Sequence, residues 1–298
     1  MQEERLVWIF GSSRSGSTWL LRMLAELDGV VPIDDPHLGH HLGVWRPLPL
    51  AWAIGEEPPQ LTTLLDLKAA EPGYFFAERY RDAWWEPLRE LIRARFEAQA
   101  DAEAGPSPTF VVKEPGSHAA PLLAELFPAS KLIFLLRDGR DVVDSWLDAY
   151  REGSWAIPGG AFPVTRQGRV ALIRWLAAVW AYRVRAVERA FASRPEQDRI
   201  MIRYEELRRR TPQLLEQICA AFDLPCGRCE EVAARFRFEQ APPARRGSGR
   251  AIRSARPGSW RENLSRAEQA ILEEELGETL EEFGYERELA PGARTVAG

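Results

Sequence analysis

The sequence predicts an α/β fold, a parallel β-sheet flanked by helices, and three observations carry that prediction. Short apolar runs of the strand kind, at 7–10, 109–113, 131–136 and 199–204, alternate with stretches of helical periodicity. The run Lys131-Leu132-Ile133-Phe134-Leu135-Leu136 is almost wholly apolar, as a central strand covered on both faces must be. Turn residues such as Gly11, Asp28-Gly29, Glu114-Pro115-Gly116 and Asp138-Gly139 close the runs. Strands that alternate with helices are joined by crossovers, so they pair in parallel.

Taken in order, the first run, Val7-Trp8-Ile9-Phe10, passes into the loop Gly11-Ser12-Ser13-Arg14-Ser15-Gly16-Ser17-Thr18. Trp19, Leu20, Met23, Leu24 and Leu27 then recur with helical spacing. Strand, Gly/Ser loop and helix make a P-loop-like phosphate cradle: glycines let the backbone approach an anion, and loop N–H groups and the helix N-terminus supply positive charge. The spacing Gly11-x4-Gly16 suits a Walker A loop, but Ser17 stands where that motif needs Lys. The cation is Arg14 instead, whose fork can grip a terminal oxyanion. A second apolar run, 30–33, leads into Asp34-Asp35-Pro36-His37.

From 37 to about 108 the chain is rich in Trp and Pro. We read it as a helical and loop insertion over the sheet edge that shapes a substrate pocket, with 74–100 helical; the same aromatics also suit plain packing. Ser117 is expected to cap a helix reaching Phe127. Helices are expected over 141–150, 167–192, 211–222 and 227–238, with a loop at 151–168 and an Arg-, Gly- and Pro-rich stretch at 241–259. Ser265 and Glu268 form a capping box for a last helix reaching Phe283. Beyond Glu288 a frayed tail is expected. The whole chain, 1–298, reads as one domain.

Composition narrows the function. A net charge of −5 excludes a general nucleic-acid binder. No apolar stretch is long enough for a bilayer, and the N-terminus lacks a leader signature, so a cytoplasmic protein without a membrane partner is expected. Cys226-x-x-Cys229 has no second pair, and Cys219 stands alone, so neither zinc nor a disulfide framework is expected. His37, His40 and His41 crowd one loop, but no metal is expected there. Lys occurs only at 68, 113 and 131, every other basic residue being Arg.

Several stretches then carry a resemblance. Gly11-x-x-Arg14-Ser15-Gly16-Ser17-Thr18-Trp19 resembles the 5′-phosphosulfate loop of sulfotransferases that use 3′-phosphoadenosine 5′-phosphosulfate (PAPS), in the Arg-bearing form of Golgi and many bacterial members. The stretch 135–145 is similar to the family's 3′-phosphate motif, with Arg137 at the strand end and Ser145 eight residues later. Gly258-Ser259-Trp260-Arg261 resembles the segment whose preceding basic residues close over the 3′-phosphate. Aligning Trp260 puts Arg253 on the family's principal Arg, with Arg250 or Arg256 sharing the role and Pro257 and Gly258 in the same loop. Ser254-Ala255 replace the usual Lys-Gly, and Ser259 replaces Asp. Tyr204-Glu205-Glu206-Leu207 resembles the segment whose Tyr lies near the adenine. Trp19 matches the aromatic that stacks on the base, and Phe238 aligns with its opposite face. The resemblance covers about 6–150 and 198–265.

The resemblance implies a PAPS-dependent sulfotransferase that releases adenosine 3′,5′-bisphosphate (PAP), needs no metal and acts on a small-molecule acceptor through a hydroxyl or amine. Arg14 and the N–H groups of Ser15, Gly16, Ser17, Thr18 and Trp19 would hold the 5′-phosphosulfate. Lys113 would stabilise charge on the sulfuryl or bridging oxygen. Cytosolic members carry a His base where this chain has Pro115. Other members use a Glu at the place held here by Asp35, which makes Asp35 the first candidate base, with His37 and Glu114 as alternatives. A nucleotide kinase or NTPase is the competing reading, and a non-catalytic nucleotide-binding relative is a third. The acceptor's identity and the oligomeric state, a homodimer included, stay open.

Overall fold

A computed structural model describes residues 1–46, 61–100, 105–156, 166–225 and 227–288. Trp52, Gly159, Gly160, Cys226 and the tail beyond 288 lie outside the described residues. In chain order the elements are β1 (Leu6–Phe10), α1 (Ser17–Leu24), β2 (Val30–Asp34), α2 (Leu38–Leu42), β3 (Trp45–Arg46), β4 (Thr62–Thr63), α3 (Leu64–Lys68), α4 (Arg81–Glu97), β5 (Thr109–Lys113) and α5 (Ala120–Leu126). There follow β6 (Lys131–Leu136), α6 (Gly139–Ala149), α7 (Arg166–Ala192), β7 (Arg199–Arg203), α8 (Tyr204–Arg209), α9 (Thr211–Phe222), α10 (Cys229–Arg235), α11 (Trp260–Asn263) and α12 (Arg266–Glu282). They form two compact units, one of residues 1–46, 62–136 and 183–237, the other of 47–61, 137–182 and 238–298.

The first unit holds the main sheet, all parallel, in the order β2-β5-β1-β6-β7. Val7 and Ile9 point to one face with Val111, Ile133 and Leu135, and are covered by Leu20 and Leu24 of α1 and Leu214 and Ile218 of α9. Trp8 and Phe10 take the other face, as the period of two requires. There Trp8 stacks on Phe10 at 5.4 Å and meets Phe96 and Phe127, and its indole N–H donates to Ser130 Oγ at 3.1 Å. Every residue of β1 and β5 is buried.

Local structure differs from expectation at several points. The helix expected over 74–100 begins at Arg81, because Glu78 N–H donates to Ala69 O and folds 69–78 back as a loop. A short antiparallel pair, β3 and β4, and α3 precede that loop where irregular chain was expected. Ser117 does not cap α5: a 3₁₀ turn, Ser117–Ala119, intervenes, and Pro121 sits in the first helical turn. Tyr204 starts α8 instead of ending β7.

In the second unit, Asp138 accepts from Arg140 N–H at 2.9 Å and so caps α6. The buried Arg140 guanidinium also binds Asp138 by side chain, donates to Glu273 Oε1 of α12 at 2.6 Å and lies over the Trp260 ring. Gly139 lets the chain pass Trp180, whose ring a Cβ there would meet at 2.7 Å. The capping box of Ser265 and Glu268 forms as predicted and starts α12. Among the described residues, no helix is long and apolar enough to cross a membrane.

Removing the Arg140 charge leaves Glu273 buried with an uncompensated charge. Arg140→Met is expected to destabilise the protein by about 3–5 kcal/mol, read as a lowered urea midpoint.

Candidate functional site

The loop after β1 is shaped by its backbone. Arg14 (φ 73°) and Gly16 (φ 94°) take the left-handed conformation, and Ser15 N–H turns back to Ser12 O at 3.1 Å. Gly16 is obligatory on a second count, since a Cβ there would lie 2.6 Å from the Tyr204 ring. The first N–H groups of α1, from Ser17 onward, have no partner within the helix and open onto the loop. Ser15 Oγ is buried with no hydrogen-bond partner among the described residues. A polar cradle with such an orphaned hydroxyl fits an anionic group. Trp19 is fixed by its indole N–H, which donates to Phe236 O at 2.8 Å, and its ring meets Tyr204 edge-on at 6.3 Å. Arg208 lies over the Trp19 ring.

On the neighbouring strand, Lys113 closes β5 and is only 5% exposed. Its ammonium lies 2.5 Å from Asp35 Oδ1 and 3.0 Å from Asp34 Oδ1. Asp35 (φ 53°) reaches it through a left-handed turn and returns its N–H to Lys113 O at 3.2 Å. Lys113 is thus a buried, paired cation, and the two residues that the sequence nominated separately meet. Both carboxylates remain nearly half exposed.

Glu114 is 1% exposed, and its carboxylate accepts from Leu38 N–H (2.9 Å) and Gly116 N–H (2.6 Å). Burial pushes its pKa up to about 7 against the pull of those N–H groups. It secures the start of α2 through the Leu38 N–H. His37 precedes α2 in a left-handed conformation (φ 58°), with its ring 5.4 Å from His40. His40 in turn meets His118, whose Nε2 is 2.7 Å from Gly43 O and whose ring lies 4.3 Å from Trp45. Burial and the charge of Arg183 drive His40 down to about 4 and His118 to about 3. Arg183 was missed by sequence reading: it reaches in from α7 and donates to Ser13 Oγ of the loop at 3.0 Å. The signal was there, an Arg on the apolar stripe of Val179, Trp180 and Val187.

In the second unit, Arg137 and Ser145 are both buried, and an Arg137 nitrogen lies 3.9 Å from Asp141 Oδ2. Asp141, Asp144 and Asp148 follow at i, i+3 and i+7 on one face of α6. Asp141 accepts from Gly258 and Trp260 N–H at 2.7 and 3.2 Å, and burial raises its pKa. Asp144 takes both terminal nitrogens of Arg253, one at 2.9 Å, and the Asn263 amide. Asp148 accepts from Ser248 Oγ and Gly249 N–H. The basic stretch is therefore tied to α6 by three carboxylates, which the sequence reading overlooked. Arg253 and Arg256 line a cavity of about 410 Å³ with Asp148, Arg169 and Ser254. Arg137 and Ser145 do not line it. Arg256 pairs with Glu262, and Arg246 lies over the Phe238 ring. Among the described residues, no cluster of His, Cys, Asp and Glu could hold a metal ion.

The expected aromatic pocket is partly ordinary packing: Phe75, Phe76, Trp84 and Trp85 contact one another in series, and Arg81 covers Trp85. Among the described residues of the insertion, Trp45 lies beside the histidines, its ring against that of His118.

A model described as the sulfotransferase family matches residues 7–227. No curated protein matches the chain. The fold is similar to that of mouse sulfotransferase SULT7A1 complexed with PAP (TM-score 0.56, 14% identity, covering 93% of this chain and 85% of that one). It is also similar to sulfotransferase STF9 from Mycobacterium avium (TM-score 0.54, 16% identity, 97% and 79%). A retinol dehydratase in a complex with retinol and PAP gives a TM-score of 0.50 at 15% identity, covering 96% and 83%.

The buried Glu114 makes one test. Its folded-state pKa of about 7 lies above the 4.5 of an unperturbed Glu, so the folded protein keeps a proton that the unfolded chain has lost. The resulting stability is fully present below about 4.5 and is lost as the pH rises through about 7. Against Glu114→Gln, the wild-type thermal midpoint is expected to fall across that window and to level off above it.

Proposed function

The chain belongs to the sulfotransferase family, and on that premise we propose that it moves the sulfuryl group of PAPS to a hydroxyl or amine of a small-molecule acceptor, releasing PAP. The observation that carries this reading is the Arg14 loop at the end of β1 beside the Lys113–Asp35 pair at the end of the adjacent β5. The loop suits an anionic phosphosulfate, and the pair supplies a cation and a carboxylate within 2.5 Å of each other.

In this assignment Arg14, Ser15 Oγ and the N–H groups from Ser15 to Trp19 hold the 5′-phosphosulfate. An ammonium has three N–H donors. Lys113 donates one to Asp35 and pairs by charge with Asp34, and another is assigned to the donor's bridging oxygen. The acceptor oxygen attacks sulfur, its proton passes to the Asp35 carboxylate, and the sulfur–oxygen bond to the phosphate breaks with its electron pair going to PAP. As in phosphoryl transfer, alignment and charge neutralisation are what the protein contributes. Arg137, Ser145, Arg253, Arg256, Pro257 and Gly258 are assigned to the 3′-phosphate, and Trp19 and Tyr204 to the adenine. The family match takes in residues of both compact units, so we read 1–298 as one catalytic domain. We place the protein in the cytoplasm, in keeping with a sequence of only three cysteines without a paired framework. Ser17 in the Walker Lys position disfavours a kinase.

Calorimetric titration without Mg²⁺ tests the donor. PAP is expected to bind more tightly than AMP or ADP, and equal affinities would remove the 3′-phosphate assignment. Arg137→Ala is expected to weaken PAP binding by about 1.5–3 kcal/mol, the scale of a charged hydrogen bond. Asp35→Asn is expected to lower turnover at nearly unchanged PAP affinity; full activity would move the base elsewhere.

A further inference from the structure

A charged side chain on the buried stripe of a helix calls for an explanation, because burying an ion is costly unless partners repay it. Helix α7 presents Val179, Trp180, Val184 and Val187 as buried residues, and Arg183 stands among them at 6% exposed. A second buried arginine past the end of this helix has a structural explanation. The Arg194 guanidinium donates to the carbonyls of Ala124, Phe127 and Pro128 and so closes the end of α5. Arg183 is placed differently. It donates to Ser13 Oγ, within the loop between Gly11 and Arg14, and the Ser13 hydroxyl donates onward to Pro115 O at 3.4 Å, two residues past Lys113. Its charge also bears on His40 and His118, whose imidazoles it helps to keep neutral.

We propose that Arg183 is a further donor-binding residue, whose guanidinium holds the sulfuryl oxygens of the bound phosphosulfate. The proposal rests on the PAPS reading above. A sulfuryl group spreads its negative charge over three oxygens, and a planar fork suits two of them where an ammonium meets one. With Arg14 in the loop and Lys113 at the end of β5, Arg183 completes a set of three cations on three elements of the first unit.

PAP and PAPS differ by the sulfuryl group alone, so calorimetry with the two nucleotides isolates the contact. In wild-type protein both are expected to bind. Arg183→Met is expected to weaken PAPS at least roughly tenfold, the scale of one charged hydrogen bond, while PAP affinity stays within about threefold. Arg183→Lys keeps the charge without the fork and is expected to fall between. Equal losses for PAP and PAPS would mean that Arg183 only shapes the loop through Ser13, and unchanged PAPS affinity would mean that it touches nothing; either result overturns the proposal. Should Arg183→Met fail to fold, the lysine variant decides, with PAPS weakened more than PAP as the supporting result and equal effects as the overturning one. A wild-type protein that binds neither nucleotide fails at the donor reading itself, a result distinguishable from any behaviour of the variants.

Discussion

A strand covered on both faces has only its ends on which to present polar chemistry. In the first unit that constraint governs everything else. β1 and β5 are buried throughout, and β6 after its first residue, so the residues just past their carboxyl ends carry the polar groups. Lys113 shows what this demands. An ammonium at the end of a buried strand needs counter-charges close at hand. They come from Asp34 and Asp35, where β2 runs parallel to β5. Asp35 adopts a left-handed backbone to make the contact, and its N–H binds back to the Lys113 carbonyl. The pair is therefore set by sheet register as much as by charge.

The second unit solves a different problem with the same chemistry. Its basic stretch carries Arg245, Arg246, Arg250, Arg253 and Arg256 in a protein of net charge −5. Left in water, such a run would be a solvated loop. Three carboxylates spaced along one face of α6 instead receive main-chain N–H groups and the Arg253 fork. Asp141 is wholly buried, and Arg137 and two backbone donors only partly offset its desolvation. Any phosphate that engages Arg253 must share that fork with Asp144 or replace it. An anion that replaced Asp144 there would gain only the difference between the two ion pairs.

What was legible in the sequence follows from this. The apolar runs are hydrophobic because they are central strands, so their position and parallel pairing could be read directly. The Gly16 loop, the strand-end Lys113 and Arg137, and the Ser265 capping box all rest on local spacing, which a sequence displays. Contacts that depend on distant parts of the chain were not displayed. Asp35 and Lys113 are far apart in sequence, and nothing in either segment announces their pairing. Ser117 has the right identity for a cap, but Pro121 set the helix start downstream. Glu114, an alternative base from its place beside Lys113, gave no sign in the sequence of being buried with the Leu38 and Gly116 N–H groups on its carboxylate. The spacing of Asp141, Asp144 and Asp148 was visible as one helix face, and only the folded loop gives that face its meaning.

The choice between lysine and arginine makes a last physical point. Almost every cation in the chain is Arg, and two of the three lysines, Lys68 and Lys131, lie away from the loop. The third closes β5. An ammonium is compact and can divide its three donors among separately placed oxygens, whereas a guanidinium offers a rigid planar fork. Two carboxylates that converge on one point from successive residues suit the compact cation. The long reach from α7 to Ser13 suits the fork. Exchanging Lys113 and Arg183 would therefore disturb geometry while leaving the net charge as it was.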